Sequence, residues 1–442
     1  MNAASHERPE GCFKAPGREK FVIDIGLYGE KRTAASIAGS IKSGGYCDME
    51  TKRVKIAVVG CGIVSHVYLR NLTRLFSITE VVAVADLNRG LAEEAQRTYG
   101  IPRIMTAEEI AADPEIEMVV NLTATSAHYA IIKQMLLAGK HVYTEKTMTA
   151  ELWQAQELVK LAEEKRLCLG VAPDTVLGGS IQTARWAIDQ GLIGDVTSFM
   201  VSINRAQMLN SERFRFLRGL GGALPYDVGI YYVAALLMLL GPAKEVTGFG
   251  APAPLREKQF LYNENDPDTW QIPGNNVVAG SLRMANGALG MLHFDGNTIG
   301  VERSAFRIYG TMGILELGDP NCFGDPVILC KPESAPCELP LTHGYKGGSV
   351  LTDATDFEKG YGNRGIGVAE MAWAIRKGRP NRLNKEMGLH ALEILAGLDK
   401  AAETGKTYRM TSTFETRPLT PGFYETMWNG GARADAERSL ID

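Results

Sequence analysis

The chain has 442 residues, with 47 Lys plus Arg against 51 Asp plus Glu and a formal charge of −4. Hydrophobic residues make up 45% and charged residues 22%, a globular balance that excludes a disordered chain. The near-neutral charge, with no long Lys/Arg run, argues against a nucleic-acid partner, and the absence of any run of about 18 apolar residues argues against a membrane-spanning helix.

At about 100–200 residues per domain, the length fits two or three domains. The seven cysteines (Cys12, Cys47, Cys61, Cys168, Cys322, Cys330 and Cys337) form no C-x-x-C pair. Their sparse, odd count reads as free thiols in a reducing cytoplasm, with no structural zinc.

Residues 1–52 are polar and rich in Gly, Ser and Lys, with one apolar patch from Phe21 to Leu27. They lack the charged, apolar and small-residue order of a signal peptide. They read as a disordered leader or an upstream start before Met49, the alternative being a short element docked on the domain. From Val54 the pattern turns regular. Val54–Val59 is a continuous apolar run, as expected of a strand buried on both faces. A Gly-rich turn and a helix to about Phe76 follow. Further strands are predicted at 81–85, 118–122, 141–144 and 167–171, and helices at 88–99, 126–138 and 150–165. Alternating strands and helices imply a parallel, doubly wound sheet.

Beyond about residue 175 the rhythm changes. Helices are predicted at 177–190, 225–240, 364–377 and 386–404. Strand-like runs lie at 196–204, 243–250, 276–284, 288–295, 303–310 and 327–330. The expected organisation is therefore a leader (1–52), a Rossmann domain (53–174), an α+β domain with an open, mostly antiparallel sheet (175–410) and a tail (411–442).

Gly60-Cys61-Gly62-Ile63-Val64-Ser65 follows a buried strand and opens a helix, nearly matching G-x-G-x-x-G. Gly60 suits the tight turn. Gly62 lets the backbone approach a pyrophosphate, and the helix N-terminus at Ile63 and Val64 offers N–H groups to it. Asp86 ends the next strand, 24 positions beyond Gly62. Its carboxylate would bind ribose hydroxyls and favour NAD over NADP, although Arg89 nearby could face a 2′-phosphate. Cys61 sits where thiol pKa values fall, but reads better as a small spacer than as a nucleophile.

Three further stretches carry a family signature: Asn121-Leu122-Thr123, then Gly139-Lys140-His141-Val142-Tyr143-Thr144-Glu145-Lys146-Thr147, then Gly221 to Tyr232. With Ile188 to Gly194 and Leu240-Gly241-Pro242, they make the chain resemble the Gfo/Idh/MocA family of NAD(P)-dependent oxidoreductases from about Val54 to Arg409. Thr147 stands where the family's Glu-Lys-Pro motif has proline. The resemblance implies that Glu145 and Lys146 lie at the nicotinamide, with Lys146 donating to the reacting hydroxyl. It also implies roles for Asn121, Thr123 and His128 near the cofactor, although a core or helix-capping His128 is an equal reading.

The family's Asp and His, four residues apart on a helix, correspond here to Asp227 and Tyr231, as in a subgroup with Asp-x-Gly-x-Tyr-Tyr. A phenol is a poor base at neutral pH, with a reference pKa of about 10, unless an ammonium such as Lys146 lowers it. Asp174, Asn363 and Arg364 are candidate substrate contacts. No spacing of ligands points to a metal, and hydride transfer needs none.

The resemblance thus implies a dehydrogenase acting on CH–OH groups of a sugar, polyol or glycoside. Two alternatives stay open: redox-neutral glycoside cleavage with retained NAD, and a non-catalytic dinucleotide-binding sugar sensor. The resemblance also implies a homodimer or homotetramer built on the open sheet face.

Overall fold

A computed structural model describes residues 52–255, 269–343, 345 and 364–419. The first sheet is built from β1 (Val54–Val59), β2 (Thr79–Ala85), β3 (Arg103–Ile104), β4 (Met118–Asn121), β5 (His141–Thr144) and β6 (Leu169–Val171). All neighbours pair in parallel in the order β3-β2-β1-β4-β5-β6. Helices α1 (Ile63–Arg74), α2 (Arg89–Tyr99), α3 (Ala107–Ala112), α4 (Thr125–Leu137) and α5 (Leu152–Lys165) connect the strands. This is the doubly wound order: strands are added on one side of β1 and then, from β4, on the other, and ligands bind in such sheets at that switch between β1 and β4. The central strands are apolar throughout because both faces are covered: Ile56, Ala57, Val58, Val119 and Val120 are fully buried.

Helix α6 (Gly179–Asp189) leads into a nine-stranded sheet. Its strands are β7 (Val196–Asn204), β8 (Ala243–Pro252), β9 (Asn275–Met284), β10 (Leu289–Asp295), β11 (Arg303–Gly310), β12 (Gly313–Leu317), β13 (Val327–Cys330), β14 (Cys337–Glu338) and β15 (Tyr408–Arg409). The order is β14-β13-β12-β11-β7-β10-β9-β8-β15. All pairs are antiparallel except β7 with β10. In β9 burial alternates, with Val278, Leu282 and Met284 covered, so one face packs on helices and the other is open.

Three helices cover the packed face: α6 against β12 and β13, α8 (Ile230–Leu240) through Tyr232 on Phe306 of β11, and the 20-residue α10 (Lys385–Thr404) against β8 and β9, while α9 (Ile366–Lys377) packs on β6 of the first sheet. Asn384 caps α10 by accepting from the Met387 amide. Helix α10 packs against β8, α8 and α5, joining the two sheets. Helix α7 (Gln207–Arg213), β3, β12 and β15 are elements that the sequence pattern does not announce. The helix expected over 225–240 begins with a wide turn, Pro225–Gly229, before regular α8. Wide turns of this kind often mark functional sites, and Asp227 lies inside it. No helix among the described residues is long and apolar enough to cross a membrane.

Candidate functional site

The first half of the site is the turn after β1. Gly60 has φ +97°, and a Cβ there would lie 2.7 Å from the Leu122 carbonyl carbon, so β1 and the loop after β4 close on each other only with glycine. Gly62 is the opposite case: a Cβ would meet nothing within 4 Å. The space in front of Gly62 is open, and the first turn of α1 has no side-chain cap. Ile63 is 55% exposed beside it, and Val64 is partly buried. Such a cradle of uncapped N–H groups at a helix N-terminus fits a pyrophosphate.

Asp86 stands at the end of β2, half-buried. Its Oδ2 accepts from the Cys61 amide at 2.7 Å, and its Oδ1 accepts from the Asn88 amide at 2.7 Å. These bonds fix a carboxylate at the rim of the cradle, as recognition of a ribose diol requires. Arg89 is exposed and pairs with Glu93 at 2.9 Å. Burial, with Asp86 nearby, pushes the Cys61 thiol up to about 12. The lowering expected at the helix N-terminus is therefore overturned, and Cys61 is an inert spacer.

The second half of the site gathers at the carboxyl end of β5. The Lys146 ammonium donates to Asp227 Oδ1 at 2.8 Å and to the Asp227 carbonyl at 2.6 Å, and both side chains keep 17% exposure. Burial alone would lower the Lys146 pKa, but Asp227, Tyr231 and Glu145 together hold it above the usual lysine range. Burial pushes Asp227 upward, and Lys146, Gln207 and Arg205 overcome it, so the carboxylate stays ionised. Gln207 Nε2 donates to Asp227 Oδ2 at 2.9 Å and to the Gly222 carbonyl at 2.9 Å. Arg205, paired with Glu302 at 2.8 Å, adds positive charge behind Asp227. Gln207 and Arg205 carry no motif that sequence reading could use.

Lys146 Nζ lies 5.2 Å from the centroid of the Tyr231 ring, so Lys146, Asp227 and Tyr231 do converge. The expected lowering of the phenol does not prevail. Burial raises Tyr231 above its ordinary value, against the pull of Arg364 and Lys146.

Several other expected site residues are bonded within the protein. His128 is 1% exposed, and its ring nitrogens lie 2.8 Å from the Thr147 carbonyl and 2.9 Å from the Thr123 carbonyl. Burial lowers its pKa, and the ring bridges the loops after β4 and β5, leaving no nitrogen for a cofactor. Asn121 is fully buried: it donates to Thr144 Oγ1 at 3.2 Å and accepts from the Thr123 amide and hydroxyl. Glu145 accepts from the Tyr68 hydroxyl at 2.7 Å and from the Lys146 amide at 3.0 Å, so it orients the lysine loop. Asp174 is 0% and Arg364 3% exposed, and the two form an ion pair at 3.3 Å. Both are therefore sealed from a substrate-sized molecule. Asn363 lies outside the described residues.

Residues 54–172 match the model of the oxidoreductase family with the NAD-binding Rossmann fold, and residues 181–316 match the GFO/IDH/MocA C-terminal domain. The chain belongs to the Gfo/Idh/MocA oxidoreductase family, and its first domain is the NAD-binding one. It is similar to scyllo-inositol 2-dehydrogenase (NADP(+)) of Bacillus subtilis, 28% identical over 195 residues that cover 44% of this chain and 54% of that enzyme. It is 27% identical over 293 residues to trans-1,2-dihydrobenzene-1,2-diol dehydrogenase of Bos taurus, covering 65% and 80%. The chain spans about half the length of the first curated relatives it matches. In fold it is similar to levoglucosan dehydrogenase solved with NADH and levoglucosan, at TM-score 0.68 and 18% identity, covering 81% of this chain and 100% of that one.

Proposed function

We propose that the protein is an NAD-linked oxidoreductase that interconverts a secondary hydroxyl and a ketone on a sugar, polyol or glycoside. Residues 53–174 hold the dinucleotide and residues 175–410 the substrate. The observation that carries this reading is a pair of unspent donors beside the dinucleotide domain. An ammonium has three N–H groups, and Lys146 spends two on Asp227. Tyr231 accepts from Arg364 Nη2 at 3.2 Å, and its own O–H has no acceptor among the described residues. Lys146 Nζ lies 5.2 Å from the Tyr231 ring centroid, and two donors this close suit a carbonyl or a developing alkoxide.

Gly60, Gly62, Ile63, Val64 and Asp86 would hold NAD, which, when bound, supplies the hydride acceptor for the carbinol carbon. In oxidation the substrate C–H loses a hydride and its O–H loses a proton. Lys146 stays an ammonium and stabilises the oxygen as charge develops, while the proton passes to a Tyr231 phenolate. Asp227 fixes the ammonium and balances its charge. Reduction runs in reverse, with the Tyr231 phenol as acid. Burial raises the Tyr231 phenol further, so at neutral pH it stands ready as the acid of reduction, and the phenolate that oxidation uses grows as pH rises.

The named relatives act on an inositol and on a cyclic diol, which supports a ring polyol or sugar as substrate. On the open sheet face, Phe249 is 80% and Met291 45% exposed, and we propose that a second copy covers it. Light scattering of the wild type and of a Phe249→Lys variant tests this: loss of the oligomer supports it, and a monomeric wild type overturns it.

The function is tested by NADH formation across inositols, cyclic diols, aldoses and glycosides, with dinucleotide release on denaturation as a control. NADH from at least one polyol or sugar is expected. Glycoside cleavage with retained NAD and no NADH would indicate the redox-neutral alternative. NAD binding with no turnover on any compound would indicate a sensor.

A further inference from the structure

Arg364 is a buried cation with four kinds of partner. Its Nη2 donates to Asn321 Oδ1 at 2.6 Å and to the Tyr231 hydroxyl at 3.2 Å, and its Nη1 faces Asp174 Oδ1 at 3.3 Å. Its guanidinium carbon stands 5.2 Å from the Tyr231 ring centroid and 5.6 Å from that of Phe323. Its carbonyl accepts from Asn71 Nδ2 at 2.7 Å, and Asn71 lies on α1, the helix that opens at the dinucleotide turn.

The ion pair does not account for this arrangement. Asp174 Oδ2 already accepts from the Gly365 amide at 2.6 Å and from the Gly367 amide at 3.4 Å. The Arg364–Asp174 contact is also looser than the one to Asn321. Asn321 therefore aims Nη2, and the direction it selects is the Tyr231 oxygen. A guanidinium only donates. While it occupies a lone pair of that oxygen, the hydroxyl proton must point elsewhere.

We propose that Arg364 is the positioning residue for Tyr231: it fixes the phenol oxygen as an acceptor and turns the O–H toward the substrate oxygen beside Lys146. This rests on the dehydrogenase reading above. No substrate contact by Arg364 is involved. Asn71 ties the same residue to α1, so the dinucleotide helix and the proton-transferring phenol share one anchor. The charged groups acting most on Tyr231 are Arg364, Lys146, Glu145 and Asp227, with Asp174 behind Arg364. The two cations favour the phenolate and Glu145 and Asp227 oppose it, so removing Arg364 leaves Lys146 alone against both.

The test compares wild type, Arg364→Lys, Arg364→Gln and the double variant Asp174→Asn/Arg364→Gln. The double variant removes both buried charges, so that an unpaired carboxylate does not unfold the protein. NAD binding is measured first and is expected to be retained. The pH profile of kcat/KM for oxidation of a panel substrate is expected to move to higher pH by about one to two units in both Gln variants. The Lys variant is expected to recover most of the shift but less of the rate, because an ammonium keeps the charge and loses the fork geometry. A uniform loss of rate with an unmoved profile would overturn the proposal and leave Arg364 a structural ion pair.

The Tyr231 titration is also read without turnover, as the phenolate ultraviolet difference spectrum between each protein and its Tyr231→Phe counterpart. A wild type that binds NAD and turns over nothing would refute the dehydrogenase reading. In that event the difference spectrum decides Arg364 by itself. An upward move in Arg364→Gln supports the contact, and an unmoved band overturns it.

Discussion

The Lys146 ammonium sits 2.8 Å from Asp227 Oδ1, bridging the end of a parallel strand in the dinucleotide domain and a wide helical turn 81 residues further along the chain. Each group offsets part of the other's desolvation in a partly buried place. Asp227→Asn is expected to lower kcat by about 10²-fold or more while NAD still binds, because it removes the carboxylate that fixes the ammonium. Steady-state kinetics with a dinucleotide titration checks this.

The same pair makes stability depend on pH, with a sign that follows from each shift. The Asp227 pKa is depressed on folding, so its contribution is present above the unfolded carboxylate value of about 3.9 and is lost as pH falls through the folded value. The Lys146 pKa is raised, so its contribution is complete below the unfolded lysine value and is lost only as pH rises through the folded one. Thermal unfolding of wild type and Asp227→Asn is expected to differ at neutral pH and to converge in acid, below about pH 4.

Tyr231→Phe removes one hydroxyl and little volume. Arg364 keeps Asn321 and Asp174, so the fold is expected to survive. The loss of proton transfer is expected to cost ~10²–10⁴-fold in kcat/KM. Wild-type oxidation is expected to rise with pH into the alkaline range and reduction to fall, following the raised phenol. Initial rates in both directions across pH test this.

Two glycines of one turn are expected to fail differently. Gly60→Ala places a Cβ 2.7 Å from the Leu122 backbone at φ +97°, and is expected to destabilise the fold by ~1–3 kcal/mol. Gly62→Ala meets nothing within 4 Å and has φ −73°, so stability is expected to hold while NAD affinity drops. Denaturant unfolding and calorimetric titration separate the two effects.

Asp86→Ser is expected to move cofactor preference toward NADP, because it removes the carboxylate that repels a 2′-phosphate and leaves Arg89 close by. The ratio of kcat/KM for the two cofactors measures it.

The parts of this fold legible in the sequence are those with local causes. A buried apolar strand, a glycine turn and a helix start lie within a dozen residues of one another, and β1, Gly60 and α1 are found there. The parts not legible depend on distant partners. The parallel pairing of β7 with β10 joins segments about 90 residues apart, and nothing in either strand encodes it. Strand β3 has two residues and owes its place to β2. Asp174 and Arg364, separated by 190 positions, read as polar residues near a cleft, yet they seal each other inside it. Tyr231 shows the same limit in its chemistry. The sequence indicates an ammonium nearby, but not the burial that outweighs it.

The most direct measurement follows the hydride itself. Polyols and sugars carrying deuterium on their carbinol carbons are incubated with NAD and either wild type or Tyr231→Phe, and the dinucleotide is analysed by mass. Hydride transfer with Tyr231 as proton donor and acceptor predicts deuterium in the reduced dinucleotide with wild type, and a rate at least about 10²-fold lower with Tyr231→Phe at equal NAD occupancy. Undeuterated dinucleotide from a wild type that binds NAD, or an unchanged rate in Tyr231→Phe, would contradict it.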